Sequence, residues 1–291
     1  QGIDLSKGGP IEVTARDGIE WRQNEQVVIA RGDARAVRGD TTVIADTLTA
    51  HYRKKAGAQD ATPASTGPSI TPGGDTGSNE IYRLEADGNV KIFNPQDIAV
   101  GDHAIYDIDQ AVLLLTGKNM SVTTPTQVYT ARDTLEYWSQ KHMAVARGLA
   151  TVTTSDGRRL AGDVLVGYTD PNKQAGPQPA KAQATDPLGG GGKLQRAEAF
   201  GNVEVRTATE TIRGDRAVYV ADTQMARIAG HVRITRGQNQ ANGDEALVNM
   251  QTGVSTLIHD PGGRVQGVVV PNDPTNSQGN QGKTPPSPPK K

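Results

Sequence analysis

Apolar and polar residues alternate in short runs along most of this chain. Two neighbouring runs show the rule: Ala199-Phe200-Gly201-Asn202-Val203-Glu204-Val205, then Ile212-Arg213-Gly214-Asp215-Arg216-Ala217-Val218-Tyr219. In the first, Val203 and Val205 fall two and four positions after Gly201; in the second, Ala217 and Tyr219 fall two and four after Asp215. A period of two predicts β-strands with one buried face. The glycine or aspartate at the head of each run is read as the turn that feeds the strand.

This two-strand unit repeats. Glycine-led runs recur at Gly32, Gly88, Gly148 and Gly230, with a looser copy at Gly117. Aspartate-led runs begin at Asp17, Asp46, Asp102, Asp133, Asp163, Asp215 and Asp244. Two residues on from these stand Ile19, Leu48, Ala104, Leu135, Leu165, Ala217 and Ala246; four on stand Trp21, Ala50, Tyr106, Tyr137, Gly167, Tyr219 and Val248. None is charged, in a chain only 35% hydrophobic. Asp17 to Asp46 is 29 residues, Asp102 to Asp133 is 31, Asp133 to Asp163 is 30 and Asp215 to Asp244 is 29. Such a period indicates a repeat architecture in which each unit buries its face only against its neighbours.

The steps from Asp46 to Asp102 and from Asp163 to Asp215 are longer, 56 and 52 residues. Each contains a stretch rich in Gly, Pro, Ala, Ser and Thr, about residues 54–79 and 170–193, which is read as a disordered loop between stacked strands. Residues 1–9 read as a flexible leader, 10–270 as one domain, and the proline-rich 271–291 as a disordered tail. A removed secretory signal would explain the starting Gln1, and so would trimming of the chain; the resemblance given below favours the signal.

Composition narrows the function. A formal net charge of −1 leaves no electrostatic footprint for nucleic acid. With no cysteine there is no disulfide, thiol nucleophile or thiolate metal site. His51, His103, His142, His231 and His259 lack metal-ligand spacing, and His51 and His103 fall on outward positions. Gly189–Gly192 lacks the strand and helix that frame a phosphate loop. The repeated aspartates are read as capping their own turns, and Arg31, Arg35 and Arg38 as outward solubility charges. No catalytic residue, metal or cofactor is expected.

Four motifs, in order, resemble the LptA (OstA-like) family of periplasmic lipopolysaccharide-transport proteins. They are the opening Pro10-Ile11-Glu12-Val13-Thr14-Ala15-Arg16-Asp17, the Ala-x-Gly-(Asn/Asp) runs, the Gly-Asp-x-Ala-x-x-Tyr runs, and the closing Gly263-Arg264-Val265-Gln266-Gly267-Val268-Val269-Val270-Pro271. The resemblance covers about residues 8–271 outside the two inserts, and this chain is longer than a typical member, with extra repeats. It implies an all-β fold, an elongated open β-jellyroll of two facing antiparallel sheets. It also implies a non-enzymatic protein that shields lipid A acyl chains between the sheets. Copies of it would join edge to edge with each other and with LptC-like and LptD-like jellyrolls.

The residues fit that expectation. Small inward residues (Ala34, Ala36, Ala50, Ala104, Gly167, Ala217) stand among large ones, so the interior is underfilled. The acyl contacts expected are Trp21, Leu48, Val90, Ile92, Tyr106, Leu135, Tyr137, Val203, Val205 and Tyr219. The expected assembly edges are Ile11, Val13 and Ala15 at one end and Val265, Val268 and Val270 at the other. Seven or eight strands per sheet would give a trough of about 35–40 Å. Two alternatives stay open: a parallel β-helix enzyme acting on polysaccharide, and a structural repeat protein without a ligand.

Overall fold

The computed structural model describes residues 11–54, 79–170, 193–259 and 264–268. The leader, both inserts, Val270 and the proline-rich tail therefore lie outside the described residues. Eighteen strands run in chain order: β1 Glu12–Thr14, β2 Gly18–Arg22, β3 Val27–Arg38, β4 Thr41–Lys54, β5 Asn79–Phe93, β6 Ile98–Asp107, β7 Val112–Thr116, β8 Ser121–Thr123, β9 Gln127–Thr130 and β10 Thr134–Trp138. They continue with β11 Met143–Thr154, β12 Arg159–Asp170, β13 Lys193–Arg206, β14 Thr211–Val220, β15 Met225–Arg236, β16 Asn239–Asn249, β17 Val254–Ile258 and β18 Gln266–Val268. The only helical turn among the described residues is the 3₁₀ segment Ser139–Lys141.

Every pairing is antiparallel and links near neighbours in sequence, which removes the parallel β-helix alternative. β4 pairs with β5 out to Lys54 and Asn79, and β12 with β13 out to Asp170 and Lys193. The two inserts thus connect the arms of hairpins.

The long strands do not stay in one face. The ladder slips at Arg31/Ala34 between β3 and β4, at Asp87/Val90 between β5 and β6, and at Phe200/Val203 between β13 and β14, with equivalent slips along the series. These are β-bulges, which bend the bulged strand. Short strands take up one half or the other: β2 pairs with 27–31 of β3 and β1 with its 35–37. One sheet is therefore folded along a line of bulges into two facing layers.

The first face contains β2, 27–31, 47–54, 79–87, 103–107, β7, β10, 143–147, 164–170, 193–200, 216–220, 225–229, 245–249 and β17. The second contains β1, 34–38, 41–45, 90–93, 98–101, β8, β9, 150–154, 159–162, 203–206, 211–214, 232–236, 239–243 and β18. At about 4.8 Å per strand, fourteen segments make a body of about 60 Å, longer than the sequence-based figure. The difference arises because each long strand serves both faces.

The bulge line also corrects the role of the glycines and aspartates. Most of them stand in mid-strand at the bend rather than at strand heads; Asp17 and Asp133 do precede β2 and β10 directly, as the sequence predicts, and Gly117 follows β7. Gly201 (φ +70°) and Asn202 (φ +48°) are consecutive left-handed residues, as are Gly32/Asp33, Gly88/Asn89, Gly148/Leu149 and Gly230/His231. Each glycine lies under an aspartate of the adjacent strand: Asp17 over Gly32, Asp46 over Gly88, Asp102 over Gly117, Asp133 over Gly148, Asp163 over Gly201 and Asp215 over Gly230. These aspartates accept from the neighbouring bulge: Asn89 Nδ2 donates to Asp46 and Asn202 Nδ2 to Asp163, both at 2.9 Å, and the Lys118 backbone N–H donates to Asp102 at 2.7 Å. His231 Nδ1 lies 2.7 Å from Asp215, which raises the imidazole pKa. The aspartates fix the bend between strands; they do not cap their own turns.

Candidate functional site

Inward side chains from both faces form one apolar interior, from Ala45 and Ala86 to Ala246 and Val248. Close to the bulge line the faces converge and pack tightly. Val90 and Val203, the first inward residues after their bulges, are each 1% exposed. Towards the strand ends the faces diverge, and cavities open there.

One cavity, of about 90 Å³, lies in the first half of the chain. Val13, Val28, Leu48, Ile92, Tyr106 and Leu113 are among its lining residues. A larger one, of about 220 Å³, lies in the second half, where Leu160, Val205, Ile212, Tyr219, Val248 and Met250 contribute to its wall. Both walls are overwhelmingly apolar. At both cavities polar residues gather at the strand ends. Arg38 is on the rim of the first, although the sequence places it among outward charges. Its position follows from alternation within β3, since it shares a face with Ala34 and Ala36.

Between the cavities the interior is sealed. Leu115, Met120, Val122, Tyr129 and Leu135 are each at most 3% exposed, and Tyr137 is 7% exposed. The Tyr129 hydroxyl donates to the Gln127 side chain beneath the second cavity. This waist coincides with the point where β7 pairs with β10 and β8 with β9.

The expected acyl contacts thus divide into three groups. Leu48, Ile92 and Tyr106 line the first cavity, and Val205 and Tyr219 the second. Leu135 and Tyr137 sit in the waist, while Val90 and Val203 sit at the fold line. Trp21 is 41% exposed, because among the described residues β2 is the terminal strand of its face and has a single neighbour, β3. Of the expected edges, Val13 is on β1, which among the described residues pairs with β3 alone, and Ile11 and Ala15 flank it. Val268 is on β18, which among the described residues pairs with β16 alone, and is 64% exposed; Val265 is 46% exposed. Sequence reasoning missed the sealing role of Met120 and Tyr129. The run Gln127-Tyr129-Ala131 ahead of Asp133 carries the alternation that marks Tyr129 as inward.

Two ionisable groups near this interior are well defined. Glu136 alternates with inward Leu135 and Tyr137 and so is at an outward position, yet is only 9% exposed. Burial pushes its carboxyl up, but donors from Arg147 Nε at 2.8 Å, Trp138 Nε1 at 3.1 Å and the Thr134 hydroxyl at 3.0 Å outweigh this and hold it below the usual range. A depressed carboxylate stabilises the fold above the unfolded value, near 4.3, and that contribution is lost as pH falls through the folded value. Glu136→Gln should cost about 1–2 kcal/mol at pH 7. The loss should shrink between about pH 5 and pH 3 in urea unfolding, whereas a pH-independent loss would assign the effect to packing alone. Tyr219 is raised by burial, despite nearby Arg158, and stays a neutral donor. Among the described residues, no group of three His, Asp or Glu side chains is arranged to hold a metal ion, and no helix is long and apolar enough to cross a membrane.

A folded antiparallel sheet with an apolar interior that opens towards the strand ends defines an open β-jellyroll. The chain belongs to the LptA/(LptD N-terminal domain) LPS transport protein family, whose model matches residues 12–142 and again residues 133–254. Most of the lining of each cavity falls within one match, except Ile11 at the first and Gln127 and Tyr129 at the second, and the two matches overlap over 133–142. An uncharacterized protein of Rhizobium meliloti (strain 1021) is 28% identical over 129 residues, 44% of this chain and 61% of that relative. The chain thus matches less than two thirds of that relative's length. Among solved structures, LptH of Pseudomonas aeruginosa, described as the LptA homologous periplasmic component of the lipopolysaccharide transport device, aligns at 15% identity with a TM-score of 0.38. That alignment covers 50% of this chain and 95% of LptH.

Proposed function

We propose that this chain carries lipopolysaccharide through the periplasm as a double-length bridge segment, without catalysing a reaction. The acyl chains of lipid A lie between the faces and the sugars project from the side where the strands end. The observation that carries this reading is an apolar cavity in each of the two family-matching halves of one continuous ladder. Each buried methylene contributes about 0.8 kcal/mol, so a 12-carbon acyl chain gains roughly 10 kcal/mol before entropy costs.

The terminal strands supply the means of assembly. β1 and β2 at one end, and β17 and β18 at the other, each pair on one side only among the described residues. An unpaired edge accepts a strand from a partner. LptC-like and LptD-like jellyrolls and further copies of this chain are the partners such edges fit.

A photo-crosslinking residue tests the reading. Placed at Tyr106 or Val205 it should capture lipopolysaccharide, while the same residue at the outer position His103 should not. Capture from His103 alone would overturn the interior route.

A further inference from the structure

The mouth of the second cavity is not built for hydrocarbon alone. Residues 154–158 form a tight turn between β11 and β12, closed by the Thr154 backbone N–H donating to the Arg158 carbonyl at 2.9 Å. Asp156 lies within this turn and accepts from Arg158 Nη2 at 2.7 Å, and the Thr154 hydroxyl also donates to it. Hydrogen bonds from Arg158 and Thr154 hold Asp156 down at about 2, so it stays ionised and anchors the guanidinium. Arg158 shares its side of the strand with inward Leu160, and it lines the cavity together with Tyr219 of the opposite face. Its Nε is buried and has no hydrogen-bond partner among the described residues.

More positive charge is stacked beside it. Arg159 and Arg206 also border the mouth; alternating with inward Leu160 and Val205, they stand on the outer side of β12 and β13, directly opposite each other. Like charges in that position oppose pairing of the strands. Arg206 has Glu204 at 3.3 Å, but Glu204 is shared with Arg213 at 2.9 Å. Both acidic residues of the lining are already matched, Glu198 by Arg196 at 2.5 Å and Glu210 by Arg236 at 2.7 Å. A buried guanidinium donor without an acceptor costs stability, and so does an opposed arginine pair. An anion at the mouth would meet the exposed part of the Arg158 side chain and offset the opposed arginines, while a hydrocarbon tail attached to it fills the apolar wall.

We infer that the second cavity is an amphiphile site in which Arg158, backed by Arg159 and Arg206, receives a phosphate group while the tail fills the apolar wall from Leu160 to Met250. The inference rests on the lipid-carrying function proposed above and adds that this half of the chain selects its cargo by charge. The Tyr219 hydroxyl, kept neutral by burial, is a second donor on the facing wall.

The test uses the full chain and three probes in isothermal titration: dodecyl phosphate below its micellar concentration, uncharged dodecanol, and inorganic phosphate. Dodecyl phosphate should bind about tenfold tighter than dodecanol, as a charge-assisted hydrogen bond provides. Arg158→Gln combined with Arg159→Gln should bring that ratio close to one, with dodecanol still bound at its wild-type affinity. Arg158→Lys, which keeps the charge and removes the Nε donor, should fall between. Equal affinity of the two amphiphiles for the wild-type chain would overturn the inference and leave the lipid-carrying function standing. Competition by inorganic phosphate as strong as that by dodecyl phosphate would overturn it in favour of a free-anion site. Failure of both amphiphiles to bind would remove the lipid-carrying function as well.

Discussion

Tyr129→Ala should lower the unfolding free energy by about 3–5 kcal/mol, the usual cost of removing a fully buried aromatic side chain. Tyr129 is 2% exposed and is packed with Met120, Val122 and Leu135 in the seal between the two cavities. The neighbouring segments are hydrogen-bonded strands, β8 to β9 and β9 to β11, so the backbone has little room to collapse into the void. The same substitution removes part of the wall between the compartments. With the seal intact, native mass spectrometry of the chain with added lipopolysaccharide should show up to two bound lipids, one per cavity. A urea midpoint unchanged in Tyr129→Ala would contradict the packed waist; a single lipid at saturation in the wild-type chain would contradict two compartments.

The second large effect is expected at the bend. A Cβ built on Gly201 falls 2.2 Å from Asp163 Oδ2 and 2.9 Å from its Cγ, at a φ of +70°. Gly201→Ala therefore combines backbone strain with displacement of the aspartate that receives Asn202 Nδ2, and should cost about 2–3 kcal/mol. Gly237 provides the control. It also has a positive φ, +58°, but a Cβ there meets nothing within 4 Å, so Gly237→Ala should cost only the strain, about 1 kcal/mol. Adding Asp163→Ala to each variant separates the two contributions. The cost of Gly201→Ala should fall in the double variant, whereas additivity at that pair would show that the aspartate does not hold the bulge.

The repeat was legible because burial on one face of a strand imposes a period of two, and the aspartate-led positions obey it without exception. The position of the bend was not. Gly-Asn and Gly-Asp pairs are ordinary turn signals, and nothing local distinguishes a turn from a mid-strand bulge. That distinction requires the partner aspartate, which lies 15 residues from Gly32 but 42 from Gly88, across an insert. Once the bend is placed, the inward residues divide by distance from it. Val203 is at the tight inner edge and Val205 at the cavity, although both have the same period. The rim was missed for a related reason. Arg158 follows Asp156-Gly157 in a stretch that reads as a plain surface turn, and only the approach of the opposite face makes it part of a mouth.

The ladder also has a consequence for how the chain acquires its shape. Among the described residues each strand pairs with a partner that is near in sequence, apart from the two hairpins that carry inserts, and no strand of one end crosses to the other. Folding can then begin at any hairpin and spread strand by strand, as in other linear arrays, without waiting for a distant segment to emerge. A chain that enters its compartment from one end would build β3 onto β4 and β5 while β14 to β17 had yet to arrive. Its temporary growing edge would have the same kind of unpaired backbone groups as the terminal strands of the described ladder.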